Sequence, residues 1–346
     1  WCCRQENSPA PPYWDAMKPK VLFIGGTGII SSACTALALE KGLDLYLLNR
    51  GKSTRPIPDG AETLNADIRD PQSVRDALGD HQFDAVVDWI AFTPAQIEAD
   101  IELFRGRTEQ FIFISSASVY QTPPASLPIT ESTLMANPFW GYSRDKIACE
   151  ERLIRAYRQE NFPITIVRPS HTYDRTLLPM TGGWTVIDRM RKGKKVIVHG
   201  DGSSLWVMTH HRDFAKGFVG LLGNARALGE TFHITSDETL TWNQIYQIFA
   251  HAAGTEAKIV PVPSVNLSAF EGMGGEGLLG DKAHSVIFDN AKIKRFVPDF
   301  AATIPLSWGA HEVLAWYEAD PARQTVDEGF NRLADQIIAA QEQVRP

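Results

Sequence analysis

The chain predicts an α/β protein built on one doubly wound parallel sheet, and three observations carry that reading. Between Lys20 and Ser170, short β-branched runs alternate with helical stretches. The runs are almost continuously apolar, as strands covered on both faces require. A glycine-rich turn, Gly25-Gly26-Thr27-Gly28, separates the first run from the first helical stretch. Six such runs with helical crossovers make a doubly wound sheet the economical solution.

The expected strands are residues 21–25, 44–49, 62–66, 85–90, 110–115 and 164–169. Helices are expected at SSACTALALEKG, DPQSVRDAL, PAQIEADIELF and YSRDKIACEERLIRAYRQ, the first stopped at Gly42. After Pro169 the rhythm breaks. A loop at 177–183 and a helix at 184–192 precede VIVHGDGSSLWVMT, which reads as two strands around a GDG turn. A helix at 213–222, a strand at GETFHIT and a helix at 242–253 follow. Residues 272–280 hold five glycines and are expected to form a mobile loop, and HEVLAWYEA is an amphipathic helix. The division expected is 17–175 for the sheet domain and 176–346 for a smaller, mixed α/β part, mainly substrate-binding, against the carboxyl edge of the sheet. Residues 1–16, WCCRQENSPAPPYWDA, lack periodicity and the order of a secretory signal, and read as a tag, linker or leader remnant.

Composition narrows the function. At 346 residues the chain can bury one large core or two modest ones. A net charge of −7 argues against nucleic acid as a partner. No apolar run approaches the roughly 20 residues of a membrane span. Of four cysteines, Cys2 and Cys3 lie in the extension, while Cys34 and Cys149 are far apart. That is neither a disulfide framework nor metal-ligand spacing, so a reducing cytoplasm is the expected location.

The turn GGTGIIS has the strand–turn–helix context of a dinucleotide fingerprint. Gly25 permits the tight turn, and Gly28 lets the backbone approach a pyrophosphate held by the helix N-terminus, with Thr27, Ile29 and Ile30 beside it. Ser31 stands where a third glycine is usual. The second strand ends in Asn49-Arg50-Gly51-Lys52, without the acidic residue that would repel a ribose 2′-phosphate. Arg50 would attract that phosphate, which favours NADP over NAD. Asp67 and Ile68 are placed to border the adenine, and Ile90, Ala91 and Ser115 are expected along the same cleft.

Tyr142 and Lys146 lie four residues apart, on one face of one helical turn. An ammonium near a phenol favours phenolate, and the phenol can then exchange a proton with a substrate hydroxyl or carbonyl. The preceding strand ends in SSASVY, which offers hydroxyls to the same place.

With GGTGIIS, NADIRD, ISSASVY, YSRDK, IVRPS, THHRDFA and EVLAWYEADP in this order, the chain resembles the extended short-chain dehydrogenase/reductases from Lys18 to about Pro321. That group includes nucleotide-sugar epimerases and dehydratases. The resemblance implies a Rossmann domain and hydride transfer at a secondary alcohol or ketone, as the net reaction or within an epimerase or dehydratase cycle. It implies Ser116 as the catalytic hydroxyl, with Ser118 to share or replace it, Tyr142 as acid/base and Lys146 as its partner. Pro169 would fall near the nicotinamide.

Two positions depart from the sugar-nucleotide members: His171 replaces their asparagine, and Trp206 their diphosphate-gripping arginine. Both residues are expected at the substrate, which is then a smaller sugar, polyol or ketone. His171, His210 and His211 lack metal spacing, so no metal is expected; His210 matches a structural histidine. A homodimer through residues 94–104 and 142–158 is a further expectation. The competing reading is a non-catalytic, dinucleotide-binding regulatory or RNA-associated protein on the same fold.

Overall fold

Seven parallel strands form the main sheet of the computed structural model, which describes residues 18–344. The expectation for residues 1–16 lies outside them. Six strands come from the first half: β1 (Lys20–Ile24), β2 (Asp44–Asn49), β3 (Glu62–Asn65), β4 (Ala85–Asp88), β5 (Phe111–Ile114) and β6 (Ile164–Pro169). The seventh, Thr231–Ile234, pairs with β6. The spatial order is Thr231–Ile234, β6, β5, β4, β1, β2, β3. The strand order reverses between β1 and β4, and ligands of such sheets bind in the crevice at that switch point.

Helices cover both faces. On one face, α1 (Ile29–Glu40) packs with the helix His211–Val219 over Val21, Phe23, Leu45 and Leu47. The other face carries α2 (Pro71–Leu78), α3 (Pro94–Phe104) and α4 (Gly141–Glu160) over Leu22, Ile24, Phe111 and Phe113. Their ends follow from local chemistry. Asp70 caps α2 by accepting from the amides of Gln72 and Ser73, Thr93 and Gln96 form a capping box on α3, and α4 ends at Asn161 with φ 55°.

Three features of the second half add to the sequence reading or differ from it. The strands flanking the GDG turn do not pair with each other. Lys195–His199 pairs in parallel with Lys258–Val262, and Leu205–Trp206 pairs with Leu240–Thr241. The turn is held instead by Asn243, whose amide packs on Gly202 and donates to the Asp201 carbonyl at 3.1 Å. Second, Thr231–Ile234 belongs to the main sheet, so the chain crosses residue 176 and later returns to the dinucleotide-type core. Third, the glycine-rich segment is built into short helical turns, Gly275–Gly277 and Leu278–Lys282. Its glycines serve close approach: a Cβ on Gly280 would sit 2.6 Å from that of Trp140. A C-terminal helix, Glu328–Val344, closes the fold.

Among the described residues no helix is long and apolar enough to cross a membrane. On α4, Leu153 is buried in the chain's own sheet, Ile154 packs on the same core, and the Tyr157 ring lies against Gly229. The outer surfaces of α3 and α4 are joined by ion pairs of Arg152 with Glu98 and Glu160, and of Arg105 with Glu160. A two-fold contact through these helices would cover that network. It requires light scattering at micromolar concentration to give twice the chain mass, and Ile154→Glu to halve it.

Candidate active site

The carboxyl ends of β1, β2, β3 and β4 enclose a cleft of about 560 Å³, lined by Gly25, Thr27, Asn49, Arg50, Asp67 and Ile90. Gly25 and Gly26 turn through φ 105° and 95°, conformations that favour glycine. A Cβ on Gly26 would meet Leu47 at 2.8 Å. Gly28 caps α1, whose first turn carries no acidic residue, so its own side chains leave the positive end of the helix dipole uncompensated. Ser31 has a reason of its own in the third glycine position: its buried hydroxyl accepts from the Gly28 amide at 2.8 Å and fixes the turn. Ile30 packs on the core behind that turn, and the Ile29 carbonyl meets His211 Nδ1 at 3.2 Å.

Two features fit a dinucleotide. The Asn49 amide nitrogen is buried without a partner, a donor waiting for an acceptor in the cleft. Arg50 is exposed and only loosely engaged, 3.6 Å from Asp67. Ile68 and Ile90 also border a second cavity of about 270 Å³ toward α3, which Ala91 lines as well. Asp88, at the end of β4, accepts from the Ile90 and Ala91 amides at 2.5 and 2.8 Å and so shapes this wall.

Beyond the cleft lies a hydroxyl cluster. Ser116 and Ser118 meet at 2.9 Å, and Ser143 donates to Ser118 at 2.8 Å. Ser143 escaped the sequence reading although it follows Tyr142 in YSRDK. Burial pushes the Tyr142 phenol up, and a hydrogen bond with Ser116 pulls it back in part. Ser116 is thus the hydroxyl beside Tyr142, and Ser118 stands one bond further back. Lys146 Nζ is buried, donates to the carbonyls of Ala91 and Ile114, both at 2.7 Å, and lies 5.9 Å from the centre of the Tyr142 ring.

The expected phenolate-favouring lysine behaves differently in this state. Burial draws Lys146 itself down to about 8, with Asp88 opposing. Burial thus moves the phenol away from phenolate rather than toward it. Spacing placed the two groups on one face, but burial decides the charge.

Ser115 turns inward. Its hydroxyl donates to Glu150 at 2.5 Å and is committed beneath the cleft floor. Glu150, in α4, forms a buried two-point ion pair with Arg168 of β6, at 2.9 and 2.5 Å. The guanidinium also lies 4.7 Å over the Tyr120 ring, and Tyr120 Oη meets His233 Nδ1 at 3.0 Å. This polar staple ties α4 to the sheet and was not read from sequence, since its members are scattered over the chain. Pro169, next to Arg168, ends β6 as a buried residue.

On the far side of the cluster, Trp206 lines a small cavity that also reaches Ser118, Ser170 and Asp281. Trp206 Nε1 and His171 Nε2 are buried without partners, their rings 6.2 Å apart edge to face. Burial, and then the Lys282 charge, push His171 down to about 3, so it is a neutral imidazole. His210 does as the resemblance implied: it caps the helix His211–Val219 through Arg212 N and meets Glu312 at 2.8 Å. Among the described residues no three His, Cys, Asp or Glu side chains are placed to hold a metal.

Known proteins resemble the chain in sequence or in fold. A 2′-dehydrokanamycin reductase of Streptomyces kanamyceticus is 24% identical over 286 residues, 81% of this chain and 80% of that protein. The chloroplast stem-loop binding protein of 41 kDa b of Arabidopsis thaliana is 26% identical over 248 residues, 68% and 63% of the two chains. The UDP-glucose 4-epimerase of Bifidobacterium longum, solved with NAD+ and UDP, superposes with a TM-score of 0.69 at 19% identity, over 87% of this chain and 99% of that one. Residues 21–235 match the family described as NAD dependent epimerase/dehydratase, and the chain belongs to that family.

Proposed function

We propose that the chain is a nicotinamide-dependent oxidoreductase acting on a ketone or secondary alcohol of a sugar-like or polyol substrate. The observation that carries this is the placing of the Tyr142 phenol beside Ser116 and one turn before Lys146 on the same helix. A protonated phenol is a proton donor, which suits reduction of a ketone. When bound, the cofactor supplies the hydride. Ser116 orients the substrate oxygen, Tyr142 delivers the proton to that oxygen, and Lys146 steadies the ribose end of the site. The relative named as a reductase supports this direction. Trp206 offers no charge to a diphosphate, and His171 and Trp206 hold polar nitrogens for substrate hydroxyls. A sugar or polyol without a nucleotide is the class that follows. The same fold also serves proteins named as epimerases, so oxidation and reduction within one cycle remain part of the proposal. The cytoplasm is the compartment proposed, in keeping with the unpaired, buried Cys34 and Cys149.

For the cofactor, Arg50 and Lys52 at the adenosine end support NADP. Arg50→Ala should weaken NADP by roughly 1.5–3 kcal/mol, the scale of a hydrogen bond to a charged group, and leave NAD almost untouched. Calorimetric titration of both cofactors checks this, and equal losses would remove Arg50 as the discriminator. The wider test is a turnover screen of keto-sugars and polyols with both nicotinamides. The relative named as a stem-loop binding protein supports the second reading, a non-catalytic RNA-associated role. Cofactor binding without turnover on any ketone or alcohol, together with RNA binding, would favour it.

A further inference from the structure

The loop that joins β2 to β3, which lines the cleft, is fastened to a segment far along the chain. Arg50, Lys52 and Ser53 of this loop line the cleft. Two residues further on, Arg55 reaches across 119 positions of sequence: its Nη1 donates to Asp174 at 2.5 Å, and its Nη2 to the Thr176 hydroxyl at 2.8 Å. Asp174 follows the strand His171–Tyr173, which packs against α1. That strand pairs with Met208–His210, and the next residue, His211, meets the Ile29 carbonyl at the first turn of α1. The Arg55 link therefore runs from the lip of the cleft beside β2 to the chain resting on α1.

The receiving carboxylate is built for this. The Asp174 side chain is 2% exposed and also accepts from the Thr176 amide and hydroxyl at 2.8 and 2.6 Å. The Arg55 side chain is 30% exposed. Burial would raise the Asp174 carboxyl, yet Arg55 and Thr176 together hold it below its ordinary range. A freely solvated pair contributes little; a buried carboxylate that accepts a charge-assisted hydrogen bond, while the same guanidinium also holds the Thr176 hydroxyl, does more.

We propose that Arg55 and Asp174 are positioning residues that strap the β2–β3 loop over the adenosine half of the bound cofactor and thereby set how fast it leaves. The proposal rests on the dinucleotide reading of the cleft. A dinucleotide with its pyrophosphate at α1 and its adenosine toward β3 must pass this lip to enter or depart. Fastening the lip slows departure, while the reacting atoms lie at the Tyr142 end and are left alone.

The test uses the full chain and NADPH. Stopped-flow displacement measures cofactor dissociation, and a single-turnover experiment measures the reductive step. Arg55→Ala, a change in a surface loop, is expected to raise the dissociation rate about tenfold while the single-turnover rate stays within about twofold, because such contacts act mainly on escape. Asp174→Asn should do the same, and Arg55→Lys should recover part of the retention. An unchanged dissociation rate in Arg55→Ala overturns the strap, as does an equal loss in dissociation control and reductive step. A wild-type chain that binds neither NADPH nor NADH ends the cofactor reading itself. Unchanged dissociation from a wild type that does bind ends the strap alone.

Discussion

Tyr142→Phe is expected to lower turnover by about 10²–10⁴-fold, the range of a positioned proton donor, while cofactor affinity stays as it was. The change removes one oxygen and keeps the ring, which packs against Trp140 at 4.7 Å and Phe92 at 6.2 Å between centroids. The helix start should therefore survive. Steady-state kinetics beside calorimetric cofactor titration separates the two quantities. Activity within a fewfold of wild type would remove Tyr142 from the chemistry, and a parallel loss of cofactor binding would show that it holds the site rather than reacts in it.

The second large effect concerns stability. Glu150→Ala should destabilise the chain by about 3–5 kcal/mol, because it leaves the Arg168 guanidinium buried without its counter-charge. Arg168 would retain the Glu131 carbonyl at 3.3 Å and the Met135 sulfur at 3.0 Å, neither of which carries a full negative charge. Urea unfolding measures the loss. Replacing both partners by methionine should recover much of it, since an apolar pair needs no compensation. A Glu150→Ala variant within about 1 kcal/mol of wild type would show that water reaches Arg168 and that the staple is dispensable.

The first half of the fold was legible because its strands are short, apolar and separated by well-capped helices. The ends of β1 to β6 fall within two residues of those expected. The glycine-rich turn between β1 and α1, and the placing of Tyr142 and Lys146 on one helix, were legible for the same reason: both are local in sequence. Most of what escaped is non-local. Thr231–Ile234 reads as a strand, but nothing local says that it pairs with β6. The strands Leu205–Trp206 and Leu240–Thr241 are two residues each, too short for a period to identify their partners. Glu328–Val344 had a usable signal in Phe330, Leu333, Ala334, Ile337 and Ile338, spaced as one helical face. Ser115 resembles any hydroxyl at a strand end until Glu150 appears beneath it, and Arg55 looks solvated until Asp174 is seen opposite.

The two carbonyl bonds of Lys146 have a consequence for how a diol is recognised. An ammonium has three hydrogens, and here two are already directed at Ala91 and Ile114. One remains. Were the proposed cofactor's ribose to lie here, Lys146 would have one free hydrogen for its two adjacent hydroxyls unless a carbonyl were released. The Ala91 carbonyl belongs to the turn whose amides Asp88 clamps, so releasing it would disturb the end of β4. A single such contact would leave the sugar free to pivot, and under the proposed function its angle toward Tyr142 would be set by the walls around it.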